Sequence, residues 1–201
     1  MNILAMDTST PRGSVALLCG DALVLDEIFP ADRSHTSELY PILQRVKKLT
    51  GAVDMIAIGL GPGSYAGVRV SIASGLGLGI AWGAELIGIP SAAAIETAEA
   101  AYIAIGDARR ESFYFTRVRG GECIEGPLLL DEQSLREKLA HHPEFPVFSP
   151  APLPSFPQAR IALPRASIVA ARAAAGHSII ARGNLEPLYL RDPHITTPKP
   201  R

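Results

Sequence analysis

The sequence has little of what usually announces a chemistry. Its two cysteines, Cys19 and Cys123, form no Cys-x-x-Cys pair, which excludes a disulfide framework and fits a reducing cytoplasm. No His-x-x-x-His occurs, and His35, His141, His142, His177 and His194 make no ligand cluster along the chain, so no metal site is expected. Gly-x-x-x-x-Gly-Lys-[Ser/Thr] is absent, which excludes a P-loop enzyme. Gly-x-Ser-x-Gly is absent too, because Gly63-Ser64 runs on into Tyr65-Ala66, and Ser64 lacks the elbow of a nucleophile. Neither sign of charge dominates: the net charge is −1 and the pI about 6.5. Without a basic footprint, strong unaided binding to nucleic acid is not expected. Long apolar runs are missing as well. The longest uncharged stretch, Val70 to Ala84, carries four glycines, is too short to span a bilayer, and reads as a buried helix. The start, MNILAMD, meets an acid too soon for a secretory segment.

What is present suits a substantial core. The 201 residues are 47% hydrophobic and 19% charged, enough for one domain or two small ones. Asn2–Met6, Ser14–Leu18 and Ala22–Phe29 read as three strands, with a polar turn from Thr8 to Gly13 and a hairpin signal at Gly20-Asp21. A helix follows to about Lys48, with Leu39, Ile42, Leu43 and Val46 on one face and Lys47 and Lys48 in the last turn, as the helix dipole favours. Met55–Leu60 is a strand, Gly61-Pro62-Gly63-Ser64 a sharp turn, and Val70–Trp82 a helix. Glu85–Ile89 is a further strand, and Ser91 caps an expected helix from about Ala92 to Ala101.

The pattern then restarts. Ala104-Ile105-Gly106-Asp107 stands one hundred residues after Leu4-Ala5-Met6-Asp7, and each is followed by a polar turn, a strand, a glycine-bearing turn and another strand. This reads as a duplicated βββ unit. The second half then diverges into a short helix, Ser134–Ala140, and a stretch from His142 to Pro164 with seven prolines, expected as extended loop rather than core. An alanine-rich helix, Ala166–Ala175, and a last extended segment, Leu185–Leu190, complete the pass.

Two acids at the ends of paired first strands suggest an actin-like, sugar-kinase-type α/β fold. It would have two related βββαβα-type domains, the second reduced: residues 1–101, and residues 102–201 with the proline-rich segment 143–164. In such a fold Asp7, Thr8, Ser9 and Thr10 suit a phosphate-facing turn, the hydroxyls and amides holding oxygens and the carboxylate a hydrated metal. Gly61, Gly63 and Ser64 would add backbone amides at a helix N-terminus. Alternatively Asp7 makes only a local Asx-type turn, and the glycines only a tight connection. Asp107-Ala108-Arg109-Arg110 suits a phosphate less. Gly61-x-Gly63-x-x-Ala66 loosely matches a dinucleotide fingerprint, but no acid ends the next strand, and three antiparallel-type strands come first.

The helix after the glycine turn carries a second signal. Ser71, Gly75, Gly79 and Gly83 recur every four residues. Each glycine costs a helix about 1 kcal/mol relative to alanine, so another backbone is expected to pass close. Either the stripe packs on the protein's own sheet or first helix, or it meets another chain.

Taken together these residues resemble the bacterial TsaB (YeaZ) family, subunits of the machinery that makes threonylcarbamoyladenosine in tRNA. The likeness lies in Ile3-Leu4-Ala5-Met6-Asp7-Thr8-Ser9-Thr10, in Arg33-Ser34-His35 with Ser37-Glu38-Leu39 and Pro41, and in Gly61-Pro62-Gly63-Ser64-Tyr65 with Gly67 and Arg69. It recurs in Asp107-Ala108-Arg109-Arg110 and in Pro187-Leu188-Tyr189-Leu190-Arg191. The resemblance implies an actin-like ATPase fold with a degenerate site and no catalytic residue. It implies a cytoplasmic partner subunit that binds and activates a TsaD-like catalytic subunit by helix–helix contact. A TsaE-like ATPase would join them, tRNA would be met through the complex, and a homodimer would be open to the chain alone. No cofactor is expected on this chain by itself, with ATP or ADP and magnesium held in the complex. His35, Leu39, Ser71, Gly75, Gly79 and Gly83 would form the contact. Ala66 stands where the family has threonine, and Pro90-Ser91-Ala92-Ala93 where it has Ser-Ser-Leu-Glu. A small ATPase or kinase using Asp7 and the Gly61–Gly63 turn is the alternative. A peptidase, suggested by older naming of the family, finds no nucleophile–base pair.

Overall fold

The computed structural model describes residues 1–30 and 35–191. Strands β1 (Asn2–Asp7), β2 (Arg12–Cys19) and β3 (Ala22–Pro30) form an antiparallel meander. Along β1, Ile3 and Ala5 belong to one core cluster and Leu4 and Met6 to another, all buried. The two-residue period of a strand therefore meets apolar cover on both faces. Helix α1 (His35–Thr50) brings Leu39, Ile42, Leu43 and Val46 into the Leu4–Met6 cluster. Strand β4 (Met55–Gly59) pairs parallel to β1, and β5 (Glu85–Ile89) parallel to β4, with helix α2 (Tyr65–Trp82) as their crossover.

The second half repeats this strand order. Strands β6 (Ala101–Asp107), β7 (Ser112–Arg119) and β8 (Glu122–Asp131) form a meander. Helix α3 (Glu132–Ala140) leads to β9 (Val147–Ser149), parallel to β6, and β10 (Arg160–Ile161) pairs parallel to β9. One sheet runs β11-β5-β4-β1-β2-β3 and the other β10-β9-β6-β7-β8, so β6 to β10 occupy the places of β1 to β5. Helix α4 (Ala166–Ala175) and β11 (Ala181–Arg182) do not stay with the second sheet. Ala166, Val169, Ala170 and Ala173 of α4 pack with Ile3, Ala5 and Ala57, and β11 pairs with β5. A split into 1–101 and 102–201 thus separates the two sheets but not these last elements, whose apolar face is needed to cover the first sheet.

Three local expectations change. Helix α2 begins at Tyr65 rather than Val70, because the Ser64 side chain caps it, accepting from the Gly67 N–H at 3.2 Å, and nothing between breaks it. The expected helix from Ala92 to Ala101 is one 3-10 turn, Ser91–Ala94. The carbonyls a helix would have used are taken: Ala92 O by the Tyr102 hydroxyl, Ala93 O by Arg172 Nε, and Ala94 O by the Arg165 N–H. The proline-rich segment is not merely loop. Phe145, Phe148, Leu153 and Phe156, set between its prolines, are buried in the second sheet's core.

Candidate functional site

At the end of β4 the chain turns through Gly61, whose φ of 91° favours glycine. The turn is pressed against the β1–β2 loop: a Cβ on Gly63 would stand 2.1 Å from the Ser9 carbonyl oxygen. Three of the amides around the turn already have partners. The Ser64 N–H donates to Ser9 O at 2.6 Å, the Gly61 N–H to Ser91 Oγ at 2.9 Å, and the Gly67 N–H to Ser64 Oγ. The Thr8 hydroxyl donates to Gly67 O at 2.7 Å, and that of Thr10 to Arg12 O at 2.7 Å. The structure thus brings Asp7–Thr10 and Gly61–Ser64 together as expected, and joins them directly through the Ser64–Ser9 hydrogen bond.

Asp7 is 1% exposed. Its Oδ1 accepts the Ser9 N–H at 2.9 Å and the Ser9 hydroxyl at 2.7 Å, the local turn anticipated as one reading. Its Oδ2 has no well-aligned partner and occupies the space above Gly59, where a Cβ would stand 1.9 Å away. Burial raises this carboxyl above the ordinary carboxylate range, opposed by hydrogen bonding from Ser91 and Ser9. A carboxylate that orients a hydrated magnesium ion must reach the ion's water shell. Asp7 reaches only protein, so these residues do not fit that cation as they stand. Asp107, its counterpart, is half exposed and accepts the Arg109 N–H at 2.6 Å. Tyr114 lies near Asp7, its hydroxyl pushed up by burial and then by the Asp7 charge.

Between the two halves opens a cleft of about 1100 Å³, lined among others by Ser9, Gly63, Tyr65, Arg109, Leu153 and Tyr189. Its lining is mixed in character: hydroxyls and a glycine turn from the first half, Arg109 and several prolines from the second. Among the described residues no group of three or more His, Cys, Asp or Glu could hold a metal. His141 and His142 contact the Glu137 carbonyl and Arg117, and neither contact is with a hydroxyl or thiol nucleophile.

The small-residue stripe faces inward. Ser71, Gly75 and Gly79 are buried, and Cβ atoms on the glycines would meet Ile58 and Leu86 at 2.3 Å. These three residues, expected at a contact with another chain, instead let α2 lie close on its own β4 and β5. Gly83 is the exposed left-handed cap of α2, with φ 66°, whereas Leu39 is 1% exposed in the core and offers no surface. The side chain of His35 lies outside the described residues. The outward face of α2 is the apolar surface that sequence reasoning missed: Ala73, Leu76, Gly77 and Ile80 are exposed, Ile80 to 84%. Their spacing of three and four, opposite the glycines, was the available signal. No helix among the described residues is long and apolar enough to cross a membrane.

With this geometry in hand, similarity to known proteins is informative. The family model for TsaD, tRNA N6-adenosine threonylcarbamoyltransferase, matches residues 29–126. The chain is 37% identical over 131 residues to the tRNA threonylcarbamoyladenosine biosynthesis protein TsaB of Haemophilus influenzae, covering 59% of this chain and 54% of that one. It is 40% identical over 90 residues to the TsaB of Escherichia coli, covering 43% and 38%. The chain therefore spans about half the length of the first of these curated relatives and less of the second. Among solved structures, a Pseudomonas aeruginosa protein described by its similarity to the peptidase YEAZ superposes with a TM-score of 0.72 at 25% identity, over 94% of this chain and 99% of that one. YeaZ from Pseudomonas aeruginosa superposes at 0.68 with 24% identity, over 88% and 93%, a likeness of fold.

Proposed function

We propose a non-catalytic role for this chain, which belongs to the TsaB (YeaZ) family. It acts in the cytoplasm as a partner subunit in tRNA threonylcarbamoyladenosine biosynthesis, docking on a TsaD-like transferase and holding it in its competent state. The observation that carries this reading is the exposed apolar face of α2, with Ile80 at its centre. Its inner face is spent on the sheet, so the outer residues Ala73, Leu76, Gly77 and Ile80 are free to take a second helix. The small side chains at 73 and 77 allow close approach. The match of residues 29–126 to the TsaD family model supports a partner built on the same plan. An actin-like architecture, with two related sheets facing a cleft, is part of this reading.

In this reading the chain alone binds no nucleotide, which is supported by the Ser64 amide being spent on Ser9 O and by the burial of the Asp7 carboxyl. ATP or ADP with magnesium, a TsaE-like ATPase and tRNA belong to the assembled complex. The test is co-purification of the full chain with the TsaD-like subunit of its own organism. Ile80→Asp, alone and with Leu76→Asp, abolishes capture and lowers tRNA modification while circular dichroism is unchanged. Undiminished capture by the double variant sinks the reading.

A further inference from the structure

We infer that the segment Leu185–Arg191 is a strap that gates the cleft between the two halves. Leu185 anchors it, 4% exposed in the first sheet's core. The Leu188 N–H donates to Leu60 O at 2.9 Å, at the start of the glycine turn. The Tyr189 ring lies 5.4 Å from that of Tyr65, the first residue of α2, and the Arg69 guanidinium sits 4.8 Å from the Tyr65 ring centre. The strap then crosses to the other half, where Arg191 Nη2 donates to Ser112 Oγ at 2.5 Å and to Arg109 O at 3.4 Å.

The second lip needs such a hold. Arg109, Arg110 and Glu111 all have positive φ, at 66°, 53° and 58°, a conformation side chains rarely adopt and that surrounding contacts must maintain. Arg191 grips the carbonyl that opens this turn.

Two sets of contacts that join the halves matter here. One joins Tyr102 to Ala92 and Ser178 to Glu122, and none of these residues lines the cleft. This set is the hinge side. The strap is the other set: residues Pro187–Arg191 line the cleft, and its aromatic contact is between rings of half-exposed residues. A ligand entering the cleft from the strap side therefore displaces the strap rather than the hinge.

Hydrogen exchange with peptide resolution tests this on the full chain carrying Tyr189→Ala and Arg191→Ala, which truncate one exposed and one partly buried side chain. Amides of 61–69 and 107–112 exchange at least tenfold faster than in the unaltered protein, while those of 92–95 and 120–123 keep their rates. Unchanged exchange at either lip overturns the gate. Equal acceleration on the hinge side overturns it as well, because the segment would then be a general part of the fold.

Discussion

Gly75 rests against Ile58 so closely that a Cβ added to the glycine would stand 2.3 Å from the isoleucine Cδ1. Ile58 is itself fully buried in β4. The glycine is there for the protein's own sheet.

Gly75→Leu therefore damages the fold before it damages any complex. Overpacking of this kind costs about 1–3 kcal/mol. Denaturant unfolding of the isolated chain should show that loss in midpoint. A variant as stable as the parent would mean that α2 can lift from the sheet.

Gly77 is the opposite case on the same helix. It is exposed, and a Cβ there meets nothing within 4 Å. Gly77→Ala should raise stability by roughly 0.5–1 kcal/mol through helix propensity. If Gly77 lies at the docking surface, the same variant weakens capture of the TsaD-like subunit. Thermal unfolding and binding would then move in opposite directions, which a purely structural residue would not produce.

Gly63→Ala places a methyl group against the backbone carbonyl of Ser9, which cannot swing aside as a side-chain tip can. The Ser64–Ser9 hydrogen bond must open, at a cost of about 1–3 kcal/mol. Faster exchange of the Ser64 amide, without comparable change in β6 to β8, is the expected signature.

Asp7 makes stability depend on pH in a defined sense. Its carboxyl is raised in the folded state above the ordinary 3.8. Between that value and the folded value, the folded chain holds a proton that the unfolded chain has lost. The unfolded state thus binds fewer protons, and this contribution to stability falls as pH rises through the window. Asp7→Asn removes the titration but keeps an oxygen for Ser9. The melting temperature of the variant relative to the parent should shift in the variant's favour as pH rises above the ordinary 3.8 through the raised folded value. A constant difference would show that Asp7 does not titrate in this range.

The strand order was largely legible in the chain, and for identifiable reasons. Asp7 and Asp107 close the same kind of apolar strand one hundred residues apart, and the turns after them recur, so the doubled meander could be read before any coordinates. Leu39, Ile42, Leu43 and Val46 declared the inner face of α1 through their spacing. The site was less legible. Asp7, Ser9, Gly61, Gly63 and Ser64 could be seen as a group that would meet. Whether the Ser64 amide and the Asp7 carboxyl faced a ligand or the chain itself depended on how closely the β1–β2 loop seats against the Gly63 turn.

What the sequence determined by itself is local and periodic: which residues form strands, where glycine permits a turn, and that α2 must lie close to something. What only the tertiary structure decided is the identity of that something. The glycine stripe fits equally well on a neighbouring chain or on the protein's own sheet, because a helical period specifies a face and not its partner. Packing against Ile58 and Leu86 chose the sheet. It thereby turned Leu76 and Ile80 outward.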